Sequence, residues 1–294
     1  MVCVRKHFTV DKDGFFGTLY EPEINFYPGK VLIVFGGSEG RFSLTCMLAE
    51  KFCDSGITAL AYAYINEEGL PYEFREVPID TLETAVKRMK KDGYRNVGLW
   101  GISMGAELAL LAGALMPDLV SCVVAVSPIS IATQGFGENR GIYINQCSAF
   151  GWRGKGLYYT PSKFKKYPMG IFIKKLLINH DIYMKEMYQP LIGSPDEKTV
   201  IPVEKINGPI LFISGKQDTM WPSSQSAEYM MGRLKEKQFK YPYKHLSYEY
   251  GSHLMIPVQL KICGFFKAER KHKEECAAAK DDSFCKTLEF LKNW

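Results

Sequence analysis

The stretch GLWGISMGAELALL, residues 98–111, is an apolar run that contains the pentapeptide Gly-Ile-Ser-Met-Gly and then continues with helix-forming residues. The two glycines permit a sharp turn from a buried strand into a helix, which holds the hydroxyl of Ser103 clear of the backbone. The pentapeptide alone is a weak signal, but the strand before it and the helix after it are the context that a nucleophilic serine requires. We therefore predict Ser103 as a nucleophile. The alternative is a tight turn in which small residues serve the backbone alone.

Apolar runs of strand length alternate with segments of helix length along most of the chain. The strand-like runs are residues 30–37, 56–64, 96–103, 120–128, 208–215 and 245–251. The helix-like segments are residues 43–56, 78–93, 104–118 and 222–236. This alternation predicts a mostly parallel sheet with helices on both faces. At the start, FTVDKDGFFGTLYEP (8–22) predicts an antiparallel hairpin around an Asp-Gly turn at the edge of the sheet.

The alternation breaks between about residues 130 and 200, which is too long for an ordinary connection and predicts a lid or cap inserted into one domain of residues 1–294. Within it, IFIKKLLINH (171–180) predicts a helix. The segment from Asn139 to His180 has no acidic residue but eight basic ones, although the net charge of the whole chain is only +5. The basic residues are Arg140, Arg153, Lys155, Lys163, Lys165, Lys166, Lys174 and Lys175. Further on, residues 267–282 are rich in charge, which predicts a solvated helix or loop before a final helix.

The eight cysteines show neither CxxC pairs nor zinc-finger spacing, which favours free thiols in a reducing compartment over a disulfide framework. The amino terminus has no apolar stretch of signal-peptide length, and no eighteen apolar residues run together. We therefore expect a cytoplasmic protein with no membrane partner. No cluster of His, Cys, Asp or Glu has metal-ligand spacing, so we expect neither a metal nor a cofactor.

A serine nucleophile needs a base and an acid that orients the base, in the chain order serine, acid, histidine for this arrangement of strands and helices. Of the five histidines, His253 follows the last predicted strand, where the base is expected, whereas His245 begins that strand and is expected to cap it or face solvent. Asp218 follows the strand 208–215 and is the predicted acid. Its alternative role is to cap the turn before the next helix. Glu228 and Glu249 are weaker candidates, since one belongs to a helix surface and the other to a strand.

The oxyanion of an acyl-transfer reaction needs two backbone amides, one of which follows the nucleophile. We predict the amide of Met104 together with that of Ser38 or Glu39, since GGSEGR (36–41) follows an early strand. A glycine-rich turn after a strand also suggests phosphate binding. Neither G-x-G-x-x-G nor a Walker lysine is present, which makes that alternative weak.

Five stretches together resemble one family, the carboxy-terminal catalytic domain shared by acyl-CoA thioesterases and bile acid-CoA:amino acid N-acyltransferases. They are VLIVFGGSEG (31–40), ALAYAYINEEGLPYEF (59–74), GLWGISMGAELAL (98–110), FGWRGKGLYYTP (150–161) and IPVEKINGPILFISGKQDTMWPS (201–223). The resemblance covers the chain from about residue 25 to its end. It implies an α/β-hydrolase fold with Ser103 as nucleophile, Asp218 as acid and His253 as base. It also implies a thioester substrate beneath a lid formed by residues 130–200.

Two departures from the family bear on function. Its long members carry an amino-terminal β-sandwich, whereas only about thirty residues precede the first core strand here. The amino-acid-conjugating members that this sequence resembles have cysteine where Ser103 stands. A thioester on cysteine readily passes its acyl group to an amine, while an oxygen ester on serine is more usually resolved by water, which favours hydrolysis.

The favoured function is therefore a serine acyl hydrolase acting on acyl-CoA thioesters. The alternatives are a carboxylesterase or dienelactone-hydrolase-like esterase, an acyl-CoA:amino acid N-acyltransferase, and a binding protein that has lost catalysis. The partner is a small molecule rather than nucleic acid, and the oligomeric state is open. The basic segment either attracts the anionic coenzyme A or is a solvated face. Six residues of the insertion either line a pocket or pack the lid onto the body: Phe136, Tyr143, Phe150, Trp152, Leu157 and Tyr158.

Overall fold

The computed structural model describes residues 3–137, 144–162 and 169–294, and its centre is an eight-stranded sheet. The described strands, in chain order, are β1 (Cys3–Phe8), β2 (Phe16–Pro22), β3 (Lys30–Phe35), β4 (Thr58–Ala63), β5 (Val77–Pro78), β6 (Asn96–Ile102), β7 (Cys122–Val126), β8 (Gln134–Phe136), β9 (Ile144–Ser148), β10 (Phe150–Trp152), β11 (Lys155–Gly156), β12 (Ile210–Gly215) and β13 (Tyr243–Tyr248). The described α-helices are α1 (Val10–Asp13), α2 (Phe42–Asp54), α3 (Asp80–Lys91), α4 (Met104–Leu115), α5 (Met169–Asn179), α6 (Lys185–Ile192), α7 (Ser223–Glu236), α8 (Lys267–Lys271) and α9 (Lys273–Lys292). Short 3-10 helices lie at Val203–Lys205 and Lys261–Phe265.

The strand order in the large sheet is β1-β2-β4-β3-β6-β7-β12-β13. The pairs from β4 to β13 are all parallel, while β1 with β2 and β2 with β4 are antiparallel. The six predicted core strands and the edge hairpin are therefore confirmed. Two details of the hairpin were wrong. Its first strand is β1, which lies almost entirely before the predicted stretch 8–22. Residues 10–13 form the helical turn α1, which ends at Gly14 with φ 77°, a left-handed conformation that glycine adopts at no steric cost.

Neighbouring residues of the central strands point to opposite faces of the sheet, and both faces are buried. Leu32 and Val34 pack with residues of α2 and α9, whereas Ile33 and Phe35 pack with residues of α3, α4 and α7. Parallel strands need crossover helices, so the helices cover both faces and the strands become continuously apolar. The predicted fold class is confirmed.

Residues 130–200 contain the short strands β8 to β11 and the helices α5 and α6 among their described part. The helix predicted at 171–180 is confirmed by α5. β10 pairs in parallel with β5, so this region is joined to the segment before α3. Its role as a lid stays a prediction.

The basic cluster is partly neutralised by ion pairs. Arg153 lies 3.1 Å from Asp80 and 2.7 Å from Glu83, and Lys175 lies 2.6 Å from Glu186. Lys155 and Lys174 are exposed. Four members of the cluster lie outside the described residues: Arg140, Lys163, Lys165 and Lys166.

Two expectations about the outer layers were wrong. The charged stretch 267–282 is not simply solvated, because it folds into α8 and α9 and buries Glu269 and Lys280 as an ion pair of 2.7 Å. Cys3 and Cys53 form a disulfide, which joins the edge strand β1 to the end of α2, while the other six cysteines are free. Their separation of 50 residues in sequence hid this pairing. Among the described helices, none is both long and apolar enough to cross a membrane.

Candidate active site

Ser103 lies on the sharp turn between β6 and α4. Its backbone has φ 57° and ψ −123°, a strained conformation for a residue with a side chain. The flanking glycines are required by close approach: a Cβ on Gly101 would lie 2.1 Å from the carbonyl oxygen of Gly105, and one on Gly105 would lie 2.2 Å from that of Gly36. The turn therefore presses the start of α4 against the loop after β3. Backbone strain of this kind is typical of functional sites.

His253 and Asp218 form a buried pair at the carboxyl ends of β13 and β12. His253 Nδ1 lies 3.0 Å and 2.9 Å from the two carboxylate oxygens, and the residues are 3% and 2% exposed. A carboxylate only accepts hydrogen bonds, so Nδ1 carries the hydrogen and Nε2 is left as a basic nitrogen. The structure therefore brings together the predicted base and the predicted acid.

Asp218 also fills the alternative role that the sequence left open. Its Oδ1 accepts hydrogen bonds from the backbone amides of Met220 at 2.9 Å and Trp221 at 3.0 Å, and Oδ2 accepts one from the hydroxyl of Ser223 at 2.6 Å. These donors compensate the burial of the carboxylate and fix its plane toward the imidazole. The two roles are combined in one residue, and Ser223 is a support that the sequence did not predict.

Ser127 connects the turn of Ser103 to the loop of His253. The amide of Ser103 donates to the carbonyl of Val126 at 3.0 Å, and the next residue, Ser127, donates its hydroxyl to the carbonyl of His253 at 2.7 Å. Ser127 has φ 47° and is fully buried at the end of β7, which lies between β6 and β12. In the described part of the chain, no hydrogen bond joins the Ser103 hydroxyl to the His253 ring. Such bonds often tighten only when substrate is bound.

The loop after β3 lies against Ser103, with Gly37 in contact with it. A Cβ on Gly37 would lie 3.4 Å from Cβ of Ser103. The hydroxyl of the buried Tyr64 lies 2.9 Å from the carbonyl oxygen of Gly36 and 2.8 Å from that of Gly37, and donates to this pair. In a trans peptide the N–H points opposite to the C=O, so the amides of Gly37 and Ser38 point away from Tyr64. Tyr64 is thus a positioning residue for which no local sequence signal exists.

The first predicted oxyanion donor, the amide of Met104, is at the first position of α4, where no acceptor within the helix is available. The positive end of the helix dipole lies at the same point. The predicted partners Ser38 and Glu39 are on the exposed part of the loop. Their amides stay a prediction, and the contacts add Gly37 as a third candidate donor.

Glu107 ties the nucleophile helix to the beginning of the insertion. It is fully buried, and its carboxyl accepts hydrogen bonds of 2.8 Å from both the amide and the hydroxyl of Thr133. Burial raises the pKa of Glu107 to about 8, and the bonds from Thr133 offset only part of that desolvation. Glu107 is therefore a neutral acid at pH 7. Its place one turn after Ser103 is evident from sequence, but its partner is not.

A narrow pocket lies near Met104 and Trp221, which are neighbours of Ser103 and His253. Its lining is uncharged: Thr133, Gln134, Gly135, Phe136, Thr160, Ser162, Met187, Tyr188 and Leu191. On one side, Thr133 Oγ1 lies 3.9 Å from Sδ of Met104. On the other, the ring of Tyr188 lies 5.6 Å from that of Trp221, which lies 6.0 Å from the His253 ring. The cavity volume of the pocket is only about 20 Å³.

Of the six residues of the insertion expected either to line a pocket or to pack the lid, Phe136 lines this pocket. Phe150 is buried against Phe74 and Tyr64, so it packs the insertion onto the body. Tyr158 is 72% exposed, and Tyr143 lies outside the described residues. Trp152 and Leu157 are partly buried against the main core.

A buried polar cluster supports the loop of His253 from behind. Glu269 accepts hydrogen bonds from the hydroxyl of Ser252 and from Nζ of Lys280, and the Ser252 hydroxyl accepts one of 3.1 Å from the amide of Leu254. The two residues that flank His253 in sequence, Ser252 and Leu254, are therefore both fixed by hydrogen bonds. This explains why two charged side chains of α8 and α9 are buried rather than solvated.

The remaining titratable candidates have other partners. His245 was expected to cap its strand or to face solvent, but it is the third residue of β13 and is half-buried. Its Nε2 lies 2.7 Å from the hydroxyl of Ser214, and desolvation lowers its pKa. Glu249 forms an exposed ion pair of 2.7 Å with Lys216. Among residues that the structure describes, no three His, Cys, Asp or Glu side chains are grouped so as to hold a metal ion.

The parallel sheet with a strained serine turn after β6, and with Asp and His after later strands, defines the α/β-hydrolase fold. The structure is similar to that of the α/β hydrolase GrgF from Penicillium sp. sh18, with a TM-score of 0.52 and 16% identity. The match covers 100% of this chain and 99% of that one. At this identity the likeness shows the fold alone.

The family follows from sequence. The family model described as BAAT / Acyl-CoA thioester hydrolase C terminal matches residues 77–292, and the chain belongs to this family.

Two curated relatives show the range of names in the family. The peroxisomal succinyl-coenzyme A thioesterase of Mus musculus is 25% identical over 242 residues, which cover 81% of this chain and 51% of that protein. The bile acid-CoA:amino acid N-acyltransferase of Mus musculus is 24% identical over 242 residues, covering 81% and 51%. The chain thus spans about half the length of these relatives.

Proposed function

We propose that this chain is an acyl hydrolase that cleaves acyl-CoA thioesters through an acyl-enzyme on Ser103. The observation that carries the proposal is the buried pair of His253 and Asp218, with Ser103 on a strained turn at the same edge of the sheet. A histidine whose Nδ1 is held by a buried carboxylate presents Nε2 as a base, which is the arrangement that a serine nucleophile needs.

In the proposed first half-reaction, Nε2 of His253 takes the hydroxyl proton as Ser103 Oγ bonds to the acyl carbon. The carbonyl electron pair moves onto oxygen, and the amides of Met104 and of the loop after β3 stabilise that oxyanion. Asp218 stabilises the imidazolium and keeps its orientation. The C–S bond then breaks, and the thiolate leaves with the proton from His253. Water repeats the sequence on the ester and releases the free acid.

A thioester substrate is supported by the family description and by the printed names of the relatives. Water as acceptor is supported by the serine at position 103, since an oxygen ester is less ready than a thioester to acylate an amine. We place the acyl chain in the uncharged pocket beside Thr133. The lining of this pocket carries no charge, which suits an acyl chain.

Coenzyme A itself is proposed to lie toward the basic segment. Lys155 and Lys174 are exposed, while the exposed Arg153 and the partly buried Lys175 are engaged in ion pairs. The cytoplasmic location stays a prediction, and one relative is named as peroxisomal.

The test is a hydrolysis screen over acyl-CoA chain lengths and p-nitrophenyl esters, together with labelling by a fluorophosphonate. Ser103→Ala is the key variant. Ser121→Ala is its control, because Ser121 precedes the amino end of β7, whereas Ser103 follows the carboxyl end of β6. We expect wild type and the control to release free CoA and to be labelled, and Ser103→Ala to do neither.

The other functions give distinct results in the same screen. A higher rate on oxygen esters than on thioesters indicates an esterase, and amide formation from added glycine or taurine indicates an acyltransferase. Labelling that persists in Ser103→Ala contradicts the assigned nucleophile. A folded wild-type protein that neither hydrolyses any substrate nor reacts with the probe is a binding protein.

A further inference from the structure

The carboxylate of Glu39 is folded back onto the loop that carries it. The amide of Gly37 donates to Oε1 of Glu39 at 3.0 Å. A Cβ on Gly37 would lie 2.6 Å from Oε2, and one on Gly36 would lie 2.9 Å from Oε1. The carboxylate of Glu39 thus fills the space beside these two glycines, although Glu39 as a whole is exposed.

This space is on the side of the loop that faces the nucleophile. The same Cβ position on Gly37 lies 3.4 Å from Cβ of Ser103, and the peptide carbonyls of the loop are turned the other way, toward Tyr64. Desolvation raises the pKa of Glu39, and hydrogen bonds from backbone amides together with the nearby Arg41 offset that rise in part. Glu39 in turn contributes to raising the pKa of Tyr64. The carboxylate therefore lies against the candidate oxyanion loop, in the space beside Gly36 and Gly37.

Resting on the proposed function, we propose that Glu39 occupies the oxyanion site with its own carboxylate and must leave Gly37 before Ser103 can react. A backbone N–H has a single hydrogen, and two anions that share it repel each other. The side chain is therefore an intramolecular competitor of the oxyanion.

The loop permits this departure. Ser38 and Glu39 are exposed, and Gly40 follows with φ 56°, a left-handed conformation at the end of the turn. An outward rotation of the Glu39 side chain returns its charge to water, which removes the desolvation cost, and it frees the Gly37 amide. Arg41, two residues on and also exposed, offers a cation on the solvent side. In the resting enzyme, the contact between Glu39 and the Gly37 amide thus prevents the reaction until the substrate displaces it.

The experiment measures the second-order rate of Ser103 labelling by a small neutral fluorophosphonate, whose phosphoryl oxygen needs the same amides. The variants are Glu39→Ala, which removes the competitor, and Glu39→Gln, which keeps an acceptor for Gly37 but not the charge. Glu68→Ala is the matched control, because Glu68 is an exposed acid in the loop after β4. The hydrogen bond from the Gly37 amide to the Glu39 carboxylate involves a charged group, and its loss is expected to make labelling of Glu39→Ala about tenfold faster or more than that of wild type. The labelling rate of Glu39→Gln should lie between the two.

A second readout is the inhibition constant of butylboronic acid, which forms a tetrahedral anion on the serine. We expect it to tighten by a similar factor in Glu39→Ala and to be unchanged in Glu68→Ala. Equal or slower labelling of both Glu39 variants, with wild type labelled at Ser103, overturns this inference and leaves the proposed function intact. Slower labelling would mean that Glu39 assists His253. Absence of labelling in every folded variant, wild type included, overturns the proposed function and this inference with it.

Discussion

Replacing Glu107 by glutamine is predicted to change how stability depends on pH. Glu107 has its pKa raised by burial to about 8, whereas in the unfolded chain it titrates near its ordinary value of 4.5. Between these values the unfolded chain releases a proton that the folded protein keeps, so rising pH favours unfolding. The glutamine of the variant does not titrate. Its amide oxygen still accepts from the Thr133 amide, and its NH₂ group donates to the Thr133 hydroxyl.

The magnitude follows from the two pKa values. Because of this linkage, the free energy of unfolding is lower by about 3 kcal/mol at pH 7 than in strongly acidic solution. Roughly 2 to 3 kcal/mol of this decrease occurs between pH 5 and pH 7. The free energy of unfolding of Glu107→Gln, minus that of wild type, should increase by this amount over the interval. For a chain of 294 residues this corresponds to about 4 °C in Tm. The nearby Tyr64 has its pKa raised further, so it stays neutral throughout.

The assay is urea unfolding of both proteins at pH 5, 6, 7 and 8, because groups that titrate alike in both cancel in the difference. The exposed Glu68→Gln is the control and should show no such trend. A difference between Glu107→Gln and wild type that is constant across pH would show that Glu107 is ionised in the folded protein, and would refute the reasoning.

Two further predictions concern the site. Tyr64→Phe removes the donor to the carbonyls of Gly36 and Gly37, and should lower kcat about tenfold with little change in KM. This loss is smaller than the roughly 10²- to 10³-fold loss that follows removal of an oxyanion donor itself. Tyr62→Phe is the control, since its hydroxyl contacts Thr81 instead, and equal kinetics in the two variants would count against the positioning role. Met187→Ala widens the narrow pocket and should shift the preferred acyl-CoA to a longer chain. Met231→Ala is the control, because Met231 is outside the pocket. An unchanged preferred chain length in Met187→Ala argues against this pocket as the acyl site.

The core strands and helices could be predicted because their patterns of apolar residues are local, whereas the order of the strands in the sheet follows only from the structure. Continuous apolar runs such as 30–37 and 208–215 indicate strands covered on both faces, and the glycines around Ser103 indicate where the chain must turn sharply. Asp218 and His253 could be selected because each follows a predicted strand closely, and parallel strands end at one edge of the sheet. These are local signals, each readable within about ten residues.

The contacts that complete the site join segments far apart in the chain, and no local pattern encodes them. Tyr64 reaches back to Gly36, Ser127 holds His253, and Glu107 binds Thr133. The burial of Glu269 with Lys280 was missed for the same reason, since a run of charges predicts a solvated surface unless a partner lies opposite. The disulfide between Cys3 and Cys53 likewise depends on β1 lying near α2.

What the sequence by itself determined is the fold class, the family, and the candidates for nucleophile, acid and base in their order along the chain. Hydrophobic periodicity and turn chemistry are properties of short segments, so they can be read without knowledge of the fold. Only the tertiary structure decided which loop lies against Ser103 and what fills the space beside it, because these contacts join segments far apart in the chain. The hydroxyl of Tyr64 donates to the carbonyls of Gly36 and Gly37, and the carboxylate of Glu39 accepts a hydrogen bond from the Gly37 amide.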